Sequence, residues 1–155
     1  MKLATICYIK KDNKVLMLKR DKKKNDIHKG FYLAPGGKFE MNETPEECAI
    51  REVFEETGLV VKNPNYRGFL TFEDSENTPF GDLWYVWIYT FDGYEGEMIE
   101  CNEGTLEWVD IDKLTELNML DGDRIFTPYI FQDKIFSMKF KYDNYKLIDH
   151  SLQYI

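Results

Sequence analysis

Cysteine and histidine are scarce in this chain of 155 residues, which has three of the first and two of the second. Cys7, Cys48 and Cys101 stand far apart and form no Cys-x-x-Cys pattern. That spacing offers no disulfide framework and reads as free thiols in a reducing compartment. His28 has no second His or Cys at ligand spacing, so it reads as an ordinary loop histidine. Long apolar runs are missing as well. Leu3 to Ile9 is followed at once by Lys10-Lys11, too short for a membrane span and without a signal-peptide cleavage pattern. A soluble cytoplasmic protein with no membrane partner is the expectation. Basic charge is in deficit, 20 Lys and Arg against 28 Asp and Glu for a net charge of −8. That balance argues against stable binding to nucleic acid or to a membrane surface. There is no internal repeat, low-complexity tract or linker, and a single domain over residues 1–155 is expected.

What the chain does have is apolar content, 43 % of residues with 15 % aromatic, enough for a core of its own. It also has one unusually well-punctuated stretch from Gly36 to Leu59. Thr44 is a good N-cap, Pro45 suits a first helical position, and Glu47 completes a capping box. Gly58 supplies a left-handed stop. At about 100° per residue, Ala49, Ile50, Val53, Phe54 and Thr57 share one arc. Glu52, Glu55 and Glu56 fall on the opposite arc, flanked by Arg51. Like charges at that spacing repel. The set is either a solvated acidic face, which would normally intersperse lysine, or a place for a hard divalent cation such as Mg²⁺ or Mn²⁺. An acidic protein that handled phosphates would need such an ion between the two.

Around the helix the chain reads mostly as strands. Leu3 to Ile9 and Val15 to Leu18 pair about a turn at Asp12-Asn13-Lys14. Phe31 to Ala34 is a short strand running into Pro35-Gly36-Gly37. Tyr66 to Glu73, the aromatic Leu83 to Phe91, and Thr105 to Ile111 follow, with a polar, turn-rich segment at 74–82. Asp112 caps a short helix to Leu117, and Asp123 to Phe131 has helical spacing. Ile135 to Tyr142 and Leu147 to Tyr154 close the chain as a hairpin about Asp143-Asn144. These elements predict an α/β fold with a mixed sheet and helices on both sides. Lys19-Arg20, Lys22 to Lys24 and Lys29 form the only basic run, either a solvated loop or a lip that draws in a polyphosphate.

Gly37, Glu43 and Arg51-Glu52-Val53-Phe54-Glu55-Glu56-Thr57-Gly58-Leu59 fill every fixed position of a signature spanning residues 37–59, and on it the chain resembles the Nudix hydrolases. The resemblance implies an α/β/α sandwich with a central mixed sheet. It implies Mg²⁺ or Mn²⁺ held by Glu52, Glu55 and Glu56, with the Gly36 carbonyl as a further ligand. Glu52 is then either general base or ligand. Arg51 is implied to tie to Glu43 and hold the loop against the helix. A further acid from a distant loop is implied, with Glu103 the candidate and Glu100 the fallback, against a plain surface glutamate. Lys38 is either a phosphate contact or an ordinary exposed lysine.

Over nearly its whole length the chain also resembles the MutT-type hydrolases of oxidised purine nucleoside triphosphates, which release pyrophosphate from 8-oxo-dGTP and so sanitise the nucleotide pool used in DNA synthesis and repair. That resemblance implies a base pocket with candidates Thr5, Arg20, Leu33, Phe72, Leu83, Leu120 and Asp123. Two departures stand out. Leu33 occupies the place of a base-reading asparagine, and Leu120-Asp121-Gly122-Asp123 has glycine where animal relatives have a second acid. Three functions therefore stay open: an 8-oxo-dGTP diphosphatase, a hydrolase of another nucleoside diphosphate compound (ADP-ribose, a dinucleotide or an RNA 5′ end), and a non-catalytic nucleotide sensor. A small-molecule nucleotide is the expected partner, and the protein is a monomer or a homodimer.

Overall fold

Period-two alternation sorts the strand residues onto two faces, and each face collects its own helix. The computed structural model describes residues 1–26, 28–74 and 81–155. Strands β1 (Lys2–Lys11) and β2 (Lys14–Lys19) form the first hairpin. β3 (Tyr32–Leu33) and β4 (Gly36–Lys38) follow, then helix α1 (Pro45–Thr57), β5 (Asn65–Phe72), β6 (Trp84–Phe91) and β7 (Thr105–Asp110). A 3₁₀ segment (Ile111–Glu116) leads to helix α2 (Asp121–Ile130) and the closing hairpin of β8 (Phe136–Asp143) and β9 (Lys146–Tyr154).

The nine strands make one mixed sheet in the order β3-β2-β1-β6-β5-β8-β9, with β4 added to β1 and β7 to β2. β1 runs parallel to β6 and β5 parallel to β8; the other pairs are antiparallel. β1 is the pivot. It pairs with β4 through Ala4, Thr5 and Ile6, and with β2 only at Lys10 and Lys11, so the two neighbours part beside it. Even-numbered Ala4 and Tyr8 join Met17, Phe72, Val86, Phe126 and Phe140 on the α2 side. Odd-numbered Cys7 and Ile9 join Leu16, Ala49, Val53, Tyr89 and Phe91 on the α1 side.

Helix α1 has the ends its sequence specifies. The Thr44 hydroxyl accepts from the Glu47 amide at 3.0 Å, the Glu47 carboxylate accepts from the Thr44 amide at 2.9 Å, and Gly58 lies at φ 79°. Its apolar arc is narrower than the periodicity predicts. Phe54 is 54 % exposed, and Cys48 takes its place in the buried set with Ala49, Val53 and Thr57. Four small side chains let the helix lie close on the sheet, and a phenyl ring at the edge of that arc is left outside. Helix α2 is tied at its far end by Arg67 of β5, which donates to the carbonyls of Ile130, Gln132 and Lys134.

Other expectations shift. Gly36–Lys38 is a strand rather than plain loop, because its amides and carbonyls find β1. The short helix is 3₁₀ and begins at Ile111, with no side-chain cap, so Asp112 does not cap it. The last turn falls on Asn144 and Tyr145, both at positive φ, one residue later than the Asp143-Asn144 signal. The polar 74–82 segment falls mainly on residues 75–80, outside the described residues. β9 ends the sheet with Ile148, Leu152 and Tyr154 exposed, and the Asp149 carboxylate accepts from the His150 amide at 2.9 Å.

Candidate active site

β4 and α1 meet at the mouth of a cavity, and three glutamates on α1 fare differently there. Glu56 turns inward: its carboxylate accepts from the Gly36 amide at 3.2 Å. Glu52 lies against Gly37, where an added Cβ would stand 2.5 and 2.7 Å from its two carboxylate oxygens. Only hydrogen fits between that backbone and that acid. Glu55 points outward and is 54 % exposed along its side chain.

Arg51 gathers most of the acids. Its Nε donates to Glu43 Oε2 at 2.5 Å and its Nη2 to Glu43 Oε1 at 2.9 Å, a two-pronged pair. Nη2 also donates to the Lys38 carbonyl at 3.0 Å. Nη1 donates to Glu52 Oε1 at 2.9 Å and Glu55 Oε2 at 3.0 Å. All five guanidinium protons are thereby used. The Arg51–Glu43 tie is the one the family signature implies. The contacts to Glu52 and Glu55 were not foreseen, and they follow from packing three anions within reach of one cation.

Behind these acids, where β1 and β2 part, lies a cavity of about 350 Å³, within the range of small-ligand pockets. Its walls are mainly apolar: Ala4, Met17, Leu33, Val86 and Phe126 are among them. Thr5, Arg20, Phe72, Leu120 and Asp123 also line it, as the sequence suggested, and Gly36 and Gly37 form its edge toward α1. Lys38 and Leu83 do not line it. Period two explains the second correction: Trp84 and Val86 face the cavity, and Leu83 stands one residue out of step. The Lys38 ammonium lies 5.8 Å from the Trp84 ring centre instead.

With that arrangement in view, the comparisons decide the family. A family model described as the NUDIX domain matches residues 1–130. The chain belongs to the Nudix family. It is 34 % identical over 152 residues to the oxidized purine nucleoside triphosphate hydrolase of Danio rerio, covering 97 % of this chain and 94 % of that one. It is also 34 % identical over 123 residues to the ADP-ribose pyrophosphatase of Methanocaldococcus jannaschii, covering 79 % and 69 %. A crystal structure of a MutT protein from Bacillus halodurans superposes at a TM-score of 0.84 with 30 % identity, covering 98 % and 97 %.

Nudix hydrolases act on small nucleotide substrates and generally use divalent metals such as Mg²⁺. Among the described residues no three His, Cys, Asp or Glu side chains converge as a ready-made metal cage. The chemistry of the acids nonetheless fits a hard cation. Burial pushes the Glu56 carboxyl up to about 8, and the charges of Glu52 and Glu103 add to the rise. Burial also raises Glu52, against the pull of Arg51. A dication beside them would favour the ionised carboxylates, against the burial and the neighbouring negative charges that raise Glu56. Glu103 reaches Glu56 through its field while its carboxylate sits 3.6 Å from Lys23.

Two surprises concern the loop before β3. Two lysines of the basic run reach the loop at 100–103: Lys22 donates to the Cys101 carbonyl at 2.9 Å and pairs with Glu100 at 3.4 Å, and Lys23 pairs with Glu103. His28 is no ordinary loop residue, because it lines the cavity and its ring stacks on Phe31. Asp26, which the sequence reading passed over, binds Arg20 Nε at 2.6 Å and the His28 amide at 3.0 Å. The only sequence signal was an Asp two residues before a His in a loop that also holds Arg20, and spacing does not say that they meet.

Proposed function

We propose that this Nudix hydrolase cleaves a purine nucleoside triphosphate to monophosphate and pyrophosphate, with 8-oxo-dGTP as its preferred substrate and nucleotide-pool sanitising in the cytoplasm as its role. The observation that carries the proposal is one continuous path. An apolar cavity of base-sized volume, with Asp123 set in its wall, opens across Gly36 and Gly37 onto Glu52 and Glu56. Relatives named for oxidized purine nucleotides align over nearly the full chain, in support.

In this reading residues 1–155 form one catalytic domain. Glu52, Glu55, Glu56, the Gly36 carbonyl and Glu103 would hold Mg²⁺ or Mn²⁺, which would supply charge neutralisation for the phosphates and acidify water. Arg51, fixed by Glu43, holds the carboxylates in register against β4. Thr5, Leu33, Phe72 and Leu120 enclose the base, and Asp123 hydrogen-bonds its edge. Arg20 stands between the base cavity and the acids.

A second reading has an observation of its own. Leu33 and Gly122 offer the base no side-chain polar group, so discrimination among bases rests largely on Asp123 and the backbone. A nucleoside diphosphate compound such as ADP-ribose fits that looser pocket. Pyrophosphate and phosphate release across a panel with Mg²⁺ separates the two. The first reading expects 8-oxo-dGTP to be turned over with higher kcat/KM than dGTP and ADP-ribose. Equal efficiency on 8-oxo-dGTP and dGTP removes the sanitising role, and faster ADP-ribose cleavage installs the second reading. Glu56→Gln is expected to cut kcat by more than about a hundredfold with its melting temperature retained. Near-normal turnover would show that Glu56 is no ligand.

A further inference from the structure

The loop between β2 and β3 is built around a carboxylate that has no place in the Nudix signature. The Asp26 side chain is only 4 % exposed. One oxygen accepts from Arg20 Nε at 2.6 Å and the other from the His28 amide at 3.0 Å. The Asp26 carbonyl accepts from the Lys29 amide at 3.1 Å, the Gly30 amide donates to the Arg20 carbonyl at 2.6 Å, and the Arg20 amide donates to the Phe31 carbonyl at 2.9 Å. Arg20, Asp26 and residues 28–31 are thus bonded to one another. The Arg20 guanidinium keeps one edge for Asp26, and among the described residues its Nη1 and Nη2 have no hydrogen-bond partner. Both Arg20 and His28 line the cavity, as Gly36 and Gly37 do.

A half-buried guanidinium with one edge fixed and two nitrogens free is prepared for an anionic, planar or forked acceptor. Its location says which one. A nucleoside in the cavity directs its 5′ oxygen toward Gly36 and α1, so the first group to pass the rim is the phosphate attached to the ribose. We propose that Asp26 is a positioning residue: it fixes Arg20 through Nε so that Nη1 and Nη2 receive the phosphate next to the nucleoside. This rests on the nucleotide reading above and adds to it the origin of the contact. Without Asp26 the arginine is a long, mobile side chain that gives up several rotamers to make the same bonds. His28, held by the same carboxylate through its amide, lines the same cavity.

Isothermal titration of the full chain, without metal, tests the proposal with 8-oxo-dGMP and with 8-oxo-2′-deoxyguanosine. The wild-type protein is expected to bind the monophosphate about tenfold tighter than the nucleoside, the size of one charge-assisted fork. Asp26→Asn is expected to shrink that advantage below about threefold, with nucleoside affinity unchanged, since its single, uncharged oxygen cannot serve both the His28 amide and Arg20 Nε. Arg20→Lys, which retains charge but has no second edge, is expected to do the same, and the double variant to be no worse than either. If Asp26→Asn weakens both ligands by one factor, Asp26 merely holds the wall and the proposal falls. It also falls if Asp26→Asn or Arg20→Lys keeps the full advantage; the lysine variant decides should the asparagine variant not fold. A wild type that binds both ligands equally overturns the phosphate contact alone, whereas one that binds neither overturns the nucleotide reading with it.

Discussion

At the scale of single residues, the site depends on hydrogen atoms where side chains would otherwise stand. A methyl group on Gly37 would press on both oxygens of Glu52, one of the carboxylates that Arg51 holds. Gly37→Ala is therefore expected to lower kcat by roughly a hundredfold, the cost of moving a reacting group by about 1 Å, while α1 stays folded. Steady-state kinetics beside a far-ultraviolet spectrum checks both halves. Asp123 gives a second expectation. Its apolar surroundings push the carboxyl up to about 7, so the folded protein holds this proton more tightly than the unfolded chain does. Its favourable share of stability is full below about pH 4 and is lost as pH rises through about 7. Asp123→Asn should flatten that part of the profile and be the more stable protein at pH 8, by denaturant titration at several pH values. A variant with the wild-type slope would show that Asp123 ionises normally.

At the scale of elements, α1 was readable because its signals are local. Thr44, Pro45, Glu47 and Gly58 act within a few residues of themselves, and the structure has each in its expected place. Thr44→Ala should cost about 1 kcal/mol, seen as a lower midpoint of unfolding with unchanged slope. Apart from β4, the strands were readable from alternation, to within a residue or two. Phe54 was misplaced because periodicity gives the direction of a side chain and not the depth of the neighbour beneath it. The base cavity was legible only in part. Thr5, Leu33, Phe72, Leu120 and Asp123 came from resemblance, whereas Tyr8, His28, Trp84 and Val86 reach it through the parting of β1 from β2, a tertiary fact. Asp26 left only its spacing from His28 as a mark, since a buried loop acid and a solvated one look alike in sequence.

At the scale of the molecule, an acidic protein meets an anionic ligand. The lysines best placed to offset this are engaged: Lys22 with Glu100 and the Cys101 carbonyl, and Lys23 with Glu103. With a net charge of −8, long-range forces repel a polyphosphate. Its kcat/KM at fixed free Mg²⁺ should rise about twofold as KCl increases from about 20 to about 150 mM, because screening relieves the repulsion. A fall over that range would reveal an attractive funnel.

The small bond between Asp149 and His150 has a consequence at the same scale. A nine-residue border strand with Ile148, Leu152 and Tyr154 bare is a template on which another copy could zip itself, ribbon upon ribbon. By folding its own carboxylate over an amide midway along that hem, the chain occupies one of the donors that such stitching would use.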